Sequence, residues 1–173
     1  MNVAGRGGGV KAELHRLVDA FLARHTTLAL ATVDDAAGAW VAPLFFAHDE
    51  RLRCYFLSGS TCRNVRDLRH NRCAVVTVYA DGQEWRDIQG LQMKVDAGLV
   101  TNRERNHAVS VYAAKFPFVA DWLLRKGTAP VELAGPLAGS ELWQLRPTWV
   151  RLIDNSRGFG HKDEADVTND GDG

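Results

Sequence analysis

Twelve consecutive residues carry the most specific chemical signal in the chain: Leu57-Ser58-Gly59-Ser60-Thr61-Cys62-Arg63-Asn64-Val65-Arg66-Asp67-Leu68. Ser60 and Thr61 are the residue types that cap helix N-termini, and the pattern predicts a short helix over Ser60 to Asn71. With Ser60 as the cap, Arg63 occupies the place where a capping box wants Glu or Gln. A guanidinium in the first helical turn meets the positive end of the helix dipole. An anion would resolve that conflict, since backbone N–H groups, hydroxyls and a forked guanidinium converge there to bind phosphate. The competing reading is a surface helix whose Arg63, Arg66, Arg69 and Arg72 are solvated. A spacing of three turns each successive arginine by about 60°, so they form no single stripe, and Arg63 is the one at the N-terminal end.

The remaining reactive residues form no comparable pattern. Cys54, Cys62 and Cys73 are odd in number and lack a C-x-x-C pair, so they read as three reduced thiols in a cytoplasmic protein. The six histidines are scattered without an H-x-x-x-H or H-E-x-x-H spacing, and no metal is assigned. Gly5, Gly7, Gly8 and Gly9 make the N-terminus glycine-rich, but no strand precedes them and no G-K-[ST] follows, so neither a P-loop nor a dinucleotide fingerprint is supported. No catalytic triad or paired-carboxylate motif is recognisable.

The elements that must position the Arg63 segment follow from periodicity. Val10, Leu14, Leu17, Val18, Phe21 and Leu22 recur at helical spacing and predict an amphipathic helix from Val10 to Arg24. Strands are expected at Thr27 to Val33, Ala39 to Ala47, Leu52 to Leu57 and Cys73 to Tyr79. A fifth lies between Trp85 and Val100, bent near Gly90 by a bulge or close backbone approach. Thr101 and Glu104 have capping-box spacing and predict a helix from Thr101 to about Lys115. Pro117 interrupts it, and Phe118 to Arg125 resumes the helical pattern. A loop containing Gly127, Pro130, Gly135, Pro136 and Gly139 then leads to a last strand near Glu141 to Ile153. Six strands in hairpin order with only one intervening helix among the first five predict a mainly β (α+β) domain. Its core is a six-stranded antiparallel barrel, closed or partly closed, with flanking helices.

Composition bounds the partners. The chain has 173 residues, with 21 Lys plus Arg against 21 Asp plus Glu, a balance that argues against nucleic acid and against a polybasic membrane anchor. No apolar run approaches the roughly 20 residues needed to span a bilayer. Residues 1–9 read as a flexible lead, 10–162 as one domain, and 163–173 as a disordered acidic tail carrying five Asp and Glu and no base. Without lead and tail, the body holds 20 basic and 16 acidic residues, a small surplus that suits an anionic ligand.

These segments together resemble the FMN-binding split β-barrel superfamily of the pyridoxamine 5'-phosphate oxidase type. The resemblance rests on Leu28 to Val33, Gly38, Pro43, Phe45, Leu57-Ser58, Cys62-Arg63-Asn64 and Asp67-Leu68. Ile88 to Gln92, Tyr112 to Pro117 and Trp149 to Gly160 look more like its YhbP-like branch, and the resemblance spans about Leu28 to Lys162. It implies a split barrel that forms a homodimer with FMN between the subunits and acts as an oxidoreductase on a small molecule. The alternative it carries is a non-catalytic protein that binds or stores flavin, F420 or haem. Residue by residue, Ser58 and Arg63 would contact the phosphate. Cys62 stands where relatives have Ser or Thr, and Asn64 where the oxidases have a second base. Val41 and Phe46 replace phosphate-binding Arg and Lys on the second strand. Gly90 and Gln92 would face the flavin ring, or else be a strand bulge and a surface amide; Asp154 and Asn155 would approach from the last strand, or else form an Asx turn. Phe159, between Gly158 and Gly160, would fold over the dimer cleft. Tyr112, Phe116, Phe118 and Trp122 read as helix core.

Overall fold

Alternating apolar residues build the barrel in the computed structural model, which describes residues 4–125, 135 and 139–167. On β1 (Thr27–Asp34), Leu28, Leu30 and Thr32 are buried while the residues between them face out, as a period of two requires. The same alternation buries Val76 and Val78 on β5 (Cys73–Tyr79) and Leu91 and Met93 on β6 (Gln89–Leu99). It continues on β7 (Ser140–Asp154) with Val150 and Leu152, and on β4 (Cys54–Gly59) with Cys54 and Phe56. These side chains form one interior cluster, in which each large aliphatic or aromatic group contributes about 1.5–3 kcal/mol.

All pairings are antiparallel, in the order β2-β1-β5-β6-β7-β4-β3 with β8 also on β7. The edge strands β2 (Gly38–Phe45) and β3 (Ala47–His48) are separated in sequence by Phe46 alone. The chain thus crosses from one edge of the sheet to the other at that residue and closes the barrel. Phe46 donates its N–H to the Thr26 carbonyl at 3.0 Å and buries its ring completely in the interior.

Helices seal the open ends. From α1 (Ala4–Ala23), Leu14, Val18, Phe21 and Leu22 enter the interior cluster, and from α2 (Arg63–His70), Val65 and Leu68 do. Carbonyls at and just beyond the end of α1 are bonded from across the fold: Lys115 Nζ donates to Leu22 O at 3.2 Å and His25 O at 2.5 Å. α3 (Arg105–Lys115) and α4 (Pro117–Arg125) cover the outside of β3, β4 and β7, where Tyr55, Tyr112, Phe116 and Leu142 form a second core. Tyr112 and Phe116 are core residues, as expected, whereas Phe118 is exposed. Among the described residues no helix is long and apolar enough to cross a membrane.

The six expected strands are all present, and the differences have local causes. The single run Ala39 to Ala47 divides at Phe46. An eighth strand, β8 (Lys162–Asp166), pairs with β7 where a disordered tail was expected. It is held by backbone pairing, by Arg151 Nε on Glu164 at 2.7 Å and by Ala165, half-buried against the main core. Residues 168–173 and the Gly127, Pro130 and Pro136 positions lie outside the described residues. α1 begins at Ala4, so the helix takes in part of the expected flexible lead despite the helix-propensity cost of about 1 kcal/mol per glycine. The irregularity in the β6–β7 register falls between Lys94 and Val95, not at Gly90, because Thr148 is an extra residue on β7 with no β6 residue opposite it. α3 starts at Arg105, since the Thr101 hydroxyl bonds the Glu104 carboxylate at 2.9 Å instead of capping a helix from Thr101. Pro117 opens α4 as its first helical residue, where a missing N–H costs nothing.

Candidate functional site

The turn from β4 into α2 is tight. Cys62 N–H donates to Gly59 O at 2.9 Å, and a Cβ on Gly59 would lie 3.3 Å from Cys62 Sγ. Cys62, not Ser60 or Thr61, is the N-cap, in extended conformation and without a side-chain cap bond. The first turn of α2 contains no acidic residue, so its N–H groups keep the positive end of the helix free to meet an anion.

Arg63 projects from this turn across the barrel end. Its Nη2 donates to Ala37 O at 2.6 Å and Gly38 O at 3.1 Å, and its guanidinium lies 4.9 Å from the Trp40 ring centroid. Nε is buried and has no hydrogen-bond partner, being 3.8 Å from Asp67 Oδ2. Asp67 is itself buried and accepts from the Thr32 hydroxyl at 2.8 Å. Arg63 is therefore a guanidinium fixed on one side by Ala37 and Gly38 and on the other by its ion pair with Asp67. The solvated-helix reading describes Arg66, which is exposed, but not Arg63.

Ser58 and Asn64 are placed differently from Arg63 and Cys62. Ser58 shares the inward face of β4 with Cys54 and Phe56, and its hydroxyl and the Asn64 amide meet at 3.3–3.4 Å in a buried pair. Cys62 is exposed. Phe46 points into the core and Val41 out of the sheet, so neither position presents a base to α2. All three cysteines are free, and burial pushes the Cys54 thiol up to about 12, leaving it protonated.

The other four candidates form a second group. Gly90 pairs with Tyr79 and Ile153, and Gln92 with Thr77 and Arg151, on the outer face of the sheet. Ala29 aligns with Thr77, whereas Arg63 reaches Gly38, the partner of Asp34. Five residues along a strand separate those rows, about 16 Å at ~3.3 Å per residue. Within one chain the two groups lie towards opposite ends of the sheet. Asp154 accepts from Ser156 N–H and Oγ at 3.1 and 2.6 Å. Burial would raise its carboxyl, but those bonds and one from Gln89 outweigh it and hold the carboxyl below the usual range. Asn155 holds two loops together: its Nδ2 donates to Trp85 O at 2.7 Å and its Oδ1 accepts from Gly160 N–H at 3.0 Å.

A third polar cluster was not visible in sequence. Among the described residues, Asp49, Glu50 and His107 bring three possible ligand atoms within 4.8 Å. Asp49 Oδ1 already accepts from the Arg51 and Arg53 N–H groups, and Oδ2 from Arg53 Nε, Tyr55 OH and His107 Nε2. Burial alone would raise its carboxyl, but the bonds from Arg53, His107 and Tyr55 bring it below the usual range. With both oxygens taken, the cluster fixes the β3–β4 turn. Its one sequence signal is His48-Asp49-Glu50, which reads as an ordinary turn.

With this geometry the chain can be set beside known proteins. No family model matches the sequence. YhbP of Escherichia coli O157:H7, a UPF0306 protein, is 27% identical over 125 residues, 71% of this chain and 74% of that protein. The chain resembles YhbP and has the split-barrel fold. A pyridoxamine 5'-phosphate oxidase-like protein from Listeria innocua superposes with a TM-score of 0.60 at 19% identity, covering 83% of this chain and 99% of that one. HutZ, the haem storage protein of Vibrio cholerae, superposes with a TM-score of 0.59 at 19% identity, covering 76% and 88%. The sequence thus resembles that of YhbP, and the fold is that of the split-barrel proteins.

Proposed function

We propose that the protein is a cytoplasmic FMN-binding oxidoreductase of the pyridoxamine 5'-phosphate oxidase type, acting on a small molecule as a homodimer. What supports this reading is the Arg63 guanidinium, fixed by Ala37 O, Gly38 O and Trp40 beside the uncapped start of α2, a donor set suited to a phosphate. Arg63 and the first-turn N–H groups hold the phosphate, with Cys62 at its rim, and the Ser58–Asn64 pair supports the turn from behind. Gly90 lets a ligand approach the backbone of β6, and Gln92 supplies an amide. FMN, when bound, supplies the redox chemistry, and the protein binds and orients it.

The outer sheet face supports the homodimer in this reading. Val33, Val41, Phe45, Val75 and Tyr79 are each 48–62% exposed on one side of β2, β1 and β5. A contiguous apolar face of this kind marks an interaction surface. Pairing two copies there lets one supply Arg63 and the other Gly90 and Gln92, which a single chain keeps apart.

The same apolar face, with no base at Val41, supports a second reading: binding or storage of haem, the cargo named for HutZ. Extraction and mass identification of the co-purifying cofactor separates the two. FMN supports the first reading; haem, F420 or an empty protein that takes up no FMN overturns it.

A further inference from the structure

The sheet end that carries Gly90 and Gln92 also carries two aromatic rings that the fold leaves out of its core. Trp85, in the β5–β6 connection, and Phe159, in the β7–β8 connection, are 54% and 81% exposed. They nevertheless meet edge to face with centroids 5.9 Å apart, and the Arg86 guanidinium sits 4.5 Å from the indole centroid.

Their placement is enforced from below. Asn155 ties the Trp85 carbonyl to the Gly160 N–H, its own N–H donates to Ile88 O at 2.9 Å, and Asp154 N–H donates to His161 O at 3.0 Å. Arg157 and His161 both bond Asp163. Gly158 and Gly160, at φ 132° and 74°, let the chain reverse on both sides of Phe159, conformations that L side chains avoid. Rings left in water forfeit the burial free energy they would gain in a core, while this bonding holds them at a fixed separation.

Beside the rings lies a cleft of about 390 Å³ walled by Trp85, Arg86, Asp87, Asn155, Ser156 and Phe159, within the size range of small-molecule sites. We propose that this cleft binds a planar aromatic ring of a small-molecule ligand, face-on to one of Trp85 and Phe159 and edge-on to the other. Aromatic side chains and a guanidinium favour a π-rich partner, and Asp87 and Ser156 give the rim polar groups for ring substituents. Arg86 and Asp87 carry opposite charges, so planarity rather than net charge selects the ligand. The site stands on the two loops and does not require FMN to be the resident cofactor.

Saturation-transfer NMR on the full chain as purified, with benzamide and its saturated counterpart cyclohexanecarboxamide as probes, tests it. The site predicts millimolar binding of benzamide, at least fivefold weaker binding of cyclohexanecarboxamide, and at least a fivefold loss of benzamide affinity in both Phe159→Ala and Trp85→Ala. Circular dichroism and melting curves check that these exposed-site variants fold. Equal binding of the two probes, no binding, or binding unchanged by both substitutions overturns the proposal. So does a change of oligomeric state in Phe159→Ala, which would assign the rings to a contact between copies. A protein that takes up no added FMN and still distinguishes the probes would refute the FMN reading and leave this site standing.

Discussion

Replacing Arg63 by Ala separates its two roles, because the bonds it makes within the chain and the one it offers a phosphate are different. Without cofactor, Arg63→Ala deletes the Nη2 bonds to Ala37 O and Gly38 O and the stacking on Trp40. Those carbonyls lie at an exposed turn and can bond water, so each bond contributes about 0.5–1.5 kcal/mol and the ring contact about 0.5–1 kcal/mol. A net loss of about 2 kcal/mol lowers Tm by roughly 4–8 °C in a chain of this size. With FMN, a charge-assisted bond from the guanidinium to the phosphate is lost as well, about 1.5–3 kcal/mol, which weakens Kd by about 10–150-fold. Arg63→Lys falls between, since one ammonium cannot serve both carbonyls and a phosphate. Flavin-fluorescence titration and thermal melts with and without FMN measure both effects. A Tm loss of the expected size with an unchanged FMN Kd would show that Arg63 only pins the β1–β2 turn, and would refute the phosphate assignment.

Val75→Glu places a charge in the exposed apolar face of β5, and sedimentation should show a dimer converted to monomer with little change in monomer stability; an unaltered dimer would place the interface elsewhere. Asp49→Asn breaks a buried charged network and should cost about 3 kcal/mol, read as a denaturant midpoint shift, while a loss under 1 kcal/mol would contradict the network. Asp49's carboxyl is held below its ordinary value near 3.8, so its stabilisation is complete above that pH and disappears as the pH falls through the folded value. His48 is depressed below its ordinary 6.5 by burial first and then by Lys115, against the pull of Asp19. Its contribution is complete above about pH 6.5 and is lost as the pH falls from there to the folded value. His48→Gln should flatten the Tm profile in that window, and an unaltered slope would assign the titration to another group.

The barrel strands were legible because Leu28, Leu30, Val76, Val78, Leu91 and Met93 alternate with residues facing out. Phe46 was not legible as the crossing point, because an apolar residue inside an apolar run gives no sign of a change of partner strand. β8 was hidden by its own composition, Lys162-Asp163-Glu164-Ala165-Asp166, which pairs through backbone and ion pairs. At the site, the conflict of Arg63 with the α2 dipole pointed to the fixed guanidinium. The burial of Ser58 and Asn64 could not be read, since which side of β4 faces inward is decided only when the barrel closes. Asp154 and Asn155 read either as flavin contacts or as an Asx turn; Asp154 makes such a turn on Ser156 N–H, while the grip of Asn155 on Trp85 joins segments 70 residues apart, beyond the reach of local pattern.

The absorption spectrum of the protein purified under mild conditions, followed by titration with FMN, tests the central claim most directly. The account predicts the two-banded spectrum of a bound flavin, present on isolation or restored by added FMN at one per chain, and weakened in Arg63→Ala. A Soret band, or a colourless protein that leaves added FMN free, would contradict it.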